Sequence, residues 1–236
     1  MIENVLWLIT ARSGSKSIKD KNIKLLGDYP LFYYKYHSVK KITPNENIWA
    51  STDSKKYAEI FNKFGLNTPF IRPSKLSEDD SSSEDVIIHA MDYAESINKE
   101  KEYICLLEPT SPFIYENQLT EALKILQDNA NSKSLVSTVE SRPNSIFVQN
   151  ENKYLDKISD SIRLLKKTGR QNFKKQITPS GGFYFCEWKK FKESKTFYNE
   201  NTISYQLNDI SGLEIDEPID WEFAEFIVKK KLYEIK

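Results

Sequence analysis

Val5-Leu6-Trp7-Leu8-Ile9 is an unbroken apolar run that passes directly into Thr10-Ala11-Arg12-Ser13-Gly14-Ser15-Lys16-Ser17-Ile18-Lys19-Asp20-Lys21-Asn22. A short apolar run without polar alternation suits a strand covered on both faces, as in a parallel sheet. The pattern recurs outward from it. Pro30 to Lys41 reads as a helix with proline in its first turn, and Asn47–Ala50 as a second strand leading into Ser51-Thr52-Asp53. Tyr57, Ile60, Phe61 and Phe64 fall at i, i+3, i+4 and i+7, a helix closed by Gly65. Pro69–Arg72 is expected as a third strand. The polar stretch Pro73 to Ser83 then feeds a helix through about Asn98, with Ile87, Ala90, Met91, Ala94 and Ile97 inward.

Tyr103–Leu107 reads as the most central strand, Leu119, Ala122, Leu123 and Leu126 as one helix stripe, and Leu135–Val139 as the next strand. This order predicts an α/β fold with a doubly wound, mainly parallel sheet, whose ligands sit beyond the carboxyl ends of the strands. The alternation breaks from Glu140 to about Gln176, where a hairpin is expected to turn at Asn150–Asn152. Residues 1–236 are therefore read as a single domain with an insertion at about 140–176. Gly182–Cys186 and Ile203–Leu207 are expected as further strands, and Trp221, Ala224, Ile227 and Val228 mark a closing helix after Pro218.

With 39% hydrophobic and 29% charged residues, the chain is too rich in core-forming side chains for disorder and too polar for a membrane protein. Lys+Arg and Asp+Glu are both 34, so no net field draws it to nucleic acid or acidic lipid, and any anion site must be local. The acidic start and the brief Val5–Ile9 run fit neither a secretory signal nor a membrane span, so the cytoplasm is the expected location. Cys105 and Cys186 lie in apolar runs and read as buried thiols. His37 and His89 fall inside predicted helices and receive no catalytic role.

The loop after the first strand interleaves small residues with Arg12, Lys16, Lys19 and Lys21. A phosphate chain needs backbone N–H groups, hydroxyls and cations aimed at one place, and this loop supplies all three. It is neither a P-loop nor a dinucleotide fingerprint, because the glycine spacing of both is missing. A solvated basic loop fits its composition equally well.

At this loop the sequence resembles the acylneuraminate cytidylyltransferases, or CMP-sialic acid synthetases. Their opening motif, Ala-Arg-x-x-Ser-Lys-x-Ile/Leu-x-x-Lys-Asn, is matched by Ala11, Arg12, Ser15, Lys16, Ile18, Lys21 and Asn22, with Ser17 in place of the usual glycine. The resemblance continues at Ser51-Thr52-Asp53, at Arg72-Pro73 with Leu76 and Asp79, at Leu106 to Pro112, at Arg170-Gln171, at Pro179-Ser180-Gly181 and at Glu214-Ile215-Asp216. It implies a nucleotide-binding sheet of the nucleotide-diphospho-sugar transferase type, with the insertion serving dimerisation. It also implies transfer of CMP from CTP to the anomeric hydroxyl of a sialic-acid-like nonulosonic acid, with Mg2+ or Mn2+ as cofactor and release of pyrophosphate. The expected partners are CTP, an acidic sugar and a second copy of the chain.

By the same resemblance Arg12, Lys16 and Lys21 hold the triphosphate, Ser15 and Asn22 contact phosphate and nucleoside, and Arg72 with the backbone near Ser81 reads the cytosine. Asp216 is the metal ligand and best candidate base, with Glu214 a possible second ligand where relatives carry aspartate. Arg170, or Arg142 from the insertion, would receive the sugar carboxylate. Glu108 stands where glutamine is usual, Thr178 where an arginine often stands, and Ser180 where asparagine does. Glu108 removes two donors and adds charge, which points to an acceptor with acylated nitrogens that can donate to it. Rival readings are activation of an eight-carbon acidic sugar, another sugar nucleotidylyltransferase, and a non-catalytic nucleotide-binding module.

Overall fold

The first strand, β1 (Val5–Thr10), is buried from Val5 to Ile9, and its side chains alternate between two separate cores. In this computed structural model, which describes residues 1–78, 82–141, 147–149, 155–158 and 176–235, Val5, Trp7 and Ile9 enter one core. There they meet Phe32, Tyr36 and Val39 of α1 (Leu31–Lys40), Tyr57 and Phe61 of α2 (Lys55–Lys63), and Leu119, Ala122 and Leu123 of α4 (Glu116–Gln127). Leu6 and Leu8 face the other way, onto Ile87, Ala90, Met91 and Ala94 of α3 (Ser83–Ser96) and onto Trp188 and Phe191 of α5 (Trp188–Ser194). Period-two side chains on a strand covered on both faces give the doubly wound arrangement directly. A third cluster joins Leu31 and Tyr34 to Trp221, Ala224 and Ile227 of α6 (Pro218–Lys229), which carries its proline in the first turn.

The main sheet also contains β4 (Ile48–Ser51), β5 (Tyr103–Leu107), β6 (Ser134–Ser141), β9 (Gln176–Glu187) and β10 (Ile203–Gln206), in the order β10-β6-β9-β5-β1-β4. β1 pairs in parallel with β4 and β5, and β10 with β6, while β9 runs antiparallel to both its neighbours. The sheet is thus mainly parallel, with one opposed strand in its interior. Two short strands, β2 (Leu25–Leu26) and β3 (Tyr29–Pro30), form a hairpin around Gly27, whose φ of 62° is the left-handed backbone that glycine accepts without steric cost. Beyond β6, β7 (Phe147–Gln149) pairs antiparallel with β8 (Leu155–Ile158), as expected of a hairpin in the insertion. Its turn at Asn150–Asn152 lies outside the described residues.

Several boundaries differ from expectation. Pro69–Arg72 is no strand; the contact with β4 is reduced to a bridge between Trp49 and Asn67, an Ala50 N–H to Asn67 oxygen bond of 2.7 Å, and an Arg72 N–H to Thr52 oxygen bond of 2.8 Å. Pro69 has no N–H to continue the ladder, so the segment crosses the edge without pairing along it. Ile97 is exposed because α3 ends at Ser96. β9 is longer than Gly182–Cys186, because it continues outward with β6 as far as the Ser141–Gln176 pair. Cys105 and Cys186 are buried free thiols, and Phe183 and Phe185 are fully buried core residues. Among the described residues, no helix is long and apolar enough to cross a membrane.

Candidate active site

The basic loop leaves β1 with a fixed exit. Ala11 N–H reaches Ser51 oxygen at 2.9 Å, and Asp53, just past β4, accepts from both the backbone and the hydroxyl of Ser13 at 2.9 Å. Asn22 donates to Arg12 oxygen at 3.1 Å, and Tyr57 donates to Asp20, which sits in left-handed backbone at φ 54°. The loop is therefore folded onto the strand ends. Ser17, in place of the family's glycine, needs no left-handed backbone, and its hydroxyl donates to Asp216 oxygen.

The acidic segment before α6 is held by the same loop. Lys21 is buried, its ammonium lies 2.7 Å from Ile215 oxygen and 3.5 Å from Asp216 Oδ1, and Ile215 N–H donates to Thr110 oxygen at 2.8 Å. Ile215 is buried in the core, while Glu214 and Asp216 on either side both reach one cavity. The Asp216 side chain is 71% exposed and so open to an arriving ion. Glu214 accepts from Gly181 N–H.

That cavity, about 680 Å³, opens beyond the carboxyl ends of β1 and β5. It brings together Arg12, Ser15, Lys16, Lys21 and Asn22 of the loop, Arg72, Glu108 after β5, and Glu214 with Asp216. Arg72 is buried, donates through Nε to Ser77 Oγ at 3.0 Å, and is lowered by burial, against which Asp53 pulls upward. Ser81, Asp79, Arg142, Arg170 and Gln171 lie outside the described residues. Thr178 is exposed on β9 and does not line the cavity. Ser180 is buried, and its hydroxyl has no hydrogen-bond partner among the described residues.

Glu108 is pushed above the usual carboxylate range, first by burial and then by Glu214, while Lys35 pulls it down. Lys35 escaped the sequence reading. It lies on the buried stripe of α1 with Leu31 and Val39, and its ammonium donates to Gly182 oxygen. Burial lowers it to about 7, opposed by Cys105, Glu108 and Glu214. Cys105 is itself driven well up by burial and is an uncharged thiol at neutral pH, so the opposing charge comes from the carboxylates. The available signal was a lysine at one-turn spacing between two core residues. Asp53 was visible only as part of Ser51-Thr52-Asp53, and its anchoring of Ser13 was not.

A local break in the β6–β9 pairing accounts for the glycines here. The register shifts between Val136 and Thr138, and Ser137 Oγ stitches the bulge by donating to Ser180 oxygen at 2.7 Å and accepting from Phe183 N–H at 2.9 Å. A side chain at Gly181 would meet Glu108 Oε2 at 2.3 Å and Ser111 Oγ at 2.7 Å. The missing Cβ therefore leaves room for the carboxylates. Among the described residues no cluster of three His, Cys, Asp or Glu stands ready to cage a metal.

A basic loop after the first parallel strand, meeting carboxylates in one cavity beyond the strand ends, is the place where α/β sheets of this class bind their ligands. The chain belongs to the cytidylyltransferase family, whose model matches residues 6–236. It is 29% identical over 98% of its length to an N-acylneuraminate cytidylyltransferase of Escherichia coli, and spans about half (54%) of that protein. It is 28% identical to a CMP-N,N'-diacetyllegionaminic acid synthase of Legionella pneumophila, covering 95% of this chain and 96% of the relative. Among solved structures, a CMP:2-keto-3-deoxy-manno-octonic acid synthetase complexed with CTP superposes with a TM-score of 0.70 at 13% identity, over 96% of this chain and 99% of that one, a likeness of fold.

Proposed function

We propose that the chain transfers CMP from CTP to the anomeric hydroxyl of a sialic-acid-like nonulosonic acid, releasing pyrophosphate. The observation that carries this reading is the single cavity in which the basic loop, Arg72 and the acidic pair meet in a cytidylyltransferase-family chain. Its size suits a nucleotide with a sugar beside it.

In this reading Arg12, Lys16 and Lys21 grip the triphosphate and offset the charge that develops as pyrophosphate leaves, while Ser15 and Asn22 orient it. Arg72, held by Ser77, faces the base, and the backbone near Ser81 is assigned to the same role. Asp216 and Glu214 are hard oxygen donors, and they suit a Mg2+ or Mn2+ ion that takes phosphate and water as its remaining ligands. Such an ion, when bound, polarises the phosphoryl oxygens. Asp216 is the group nearest the role of base, and Arg170 is assigned to the sugar carboxylate.

Glu108 sets the acceptor. A carboxylate on the cavity wall accepts hydrogen bonds but donates none, so it fits an acceptor whose acylated nitrogens turn N–H donors toward it. The Legionella relative is named for an N,N'-diacetyl sugar and the Escherichia coli relative for an N-acylneuraminate, so the choice rests on Glu108. The test is pyrophosphate release with CTP and a panel of eight- and nine-carbon acidic sugars. Turnover is expected with a diacylated diamino nonulosonic acid in preference to N-acetylneuraminate, and Glu108→Gln is expected to narrow that preference. Preference for an eight-carbon sugar, or CTP binding without turnover, overturns the reading. We further assign the chain to a two-fold homodimer built through the insertion.

A further inference from the structure

Lys35 is 1% exposed and does not line the cavity. Its direct hydrogen-bond partner among the described residues, Gly182 oxygen, is neutral and cannot offset an ammonium in an apolar helix stripe. The negative charges acting on it come from the strand ends, Glu108 after β5 and Glu214 before α6. These two converge at the β9 bulge, where the Cβ position of Gly181 lies 2.3 Å from Glu108 Oε2 and 3.1 Å from Glu214 Oε1. Two carboxylates crowded around one glycine repel, so one is driven toward its protonated form unless a cation stands near enough to favour both charges. Lys35 stands at the adjoining glycine. The buried Ser111 hydroxyl, also beside Gly181 and without a hydrogen-bond partner among the described residues, leaves the recess polar but supplies no charge.

We propose that Lys35 is a positioning residue for the acceptor: from behind β9 it supplies the charge that lets Glu108 and Glu214 stand side by side, and it thereby sets which sugar the wall accepts. It touches no substrate and acts through the carboxylates. The proposal deepens the functional reading above and rests on it for its kinetic consequence, whereas the coupling between Lys35 and Glu108 stands independently of the substrate.

The test is a double-mutant cycle in the full chain with Lys35→Met, Glu108→Gln and both together, reading thermal midpoint, kcat, and KM for each substrate. Lys35→Met is expected to lower the midpoint and to reduce acceptor kcat/KM by about tenfold, with a much smaller change in KM for CTP. Adding Glu108→Gln to Lys35→Met is expected to restore much of the lost midpoint, because the carboxylate left without a counter-charge is then neutral. A lysine that only fills volume gives additive losses, and additivity overturns the proposal. So does an equal loss in CTP and acceptor parameters. If Lys35→Met yields no folded protein, a folded double variant supports the coupling and an unfolded one refutes it. A wild type inactive with every acidic sugar refutes the functional reading, while the midpoint cycle still decides the coupling.

Discussion

Lys21 joins two roles that the sequence presents as one. As a cation in a basic loop it reads as a phosphate ligand, yet its ammonium also holds Ile215 oxygen and pairs with Asp216. Lys21→Met is therefore expected to lower turnover by roughly 10²–10³, the usual effect of losing one charge-stabilising donor. It should also cost about 1–3 kcal/mol of stability, because Ile215 oxygen is left unpaired. Pyrophosphate release and thermal denaturation of the same variant separate the two losses, and unchanged stability would remove the structural role. Beside Lys21, Asp216→Asn should weaken divalent-metal dependence more than Glu214→Gln, since the Asp216 carboxylate is open to an arriving ion while Glu214 is tied to Gly181 N–H. Metal titration of turnover in both variants decides this, and equal tolerance excludes the segment as the metal site. At this scale residue type and order made the loop, Arg72 and the acidic pair legible. Lys35 was not, because its meaning depends on a carbonyl 147 positions away.

Helices were the easiest elements to read, since α2, α3, α4 and α6 bury most of the stripe that their periodicity marks, although Phe64, just past the end of α2, is exposed. The end of α2 follows its sequence closely: Gly65 takes φ 90°, Gly65 N–H bonds Asn62 oxygen and Leu66 N–H bonds Phe61 oxygen, both at 3.0 Å. Gly65→Ala places a Cβ in left-handed backbone and 2.9 Å from Tyr36 Oη. The expected cost is about 1–2 kcal/mol, or a midpoint lowered by roughly 2–8 °C in a chain of this size. Differential scanning calorimetry measures it, and an unchanged midpoint would contradict the cap. Strands were harder. Pro69–Arg72 has strand-like side chains but lacks the donor that would extend the ladder, and α5 is too short to show a period. The full reach of β6 and β9 depends on pairing between distant segments, which neither sequence reveals alone.

For the molecule as a whole, strand and helix alternation was enough for the doubly wound class, because it follows from local pattern. The opposed direction of β9 was not legible, since direction is set by which strands enclose it. A two-fold homodimer remains the expected assembly, and light scattering at micromolar concentration checks it; a monomer mass would count against a dimerising insertion. The interior position of β9 also bears on how the chain comes to be folded. β5 and β6 are both synthesised before the strand that must lie between them, so a nascent chain ending near Ser141 has no β9 to cover the inner edge of β5. An uncovered edge of buried apolar strands invites pairing with other chains, and contacts that wait on distant sequence form slowly. The sheet closes from within and late: the arrival of residues 176–187 covers the inner edges of β5 and β6 together, and the outer edge of β6 waits for β10.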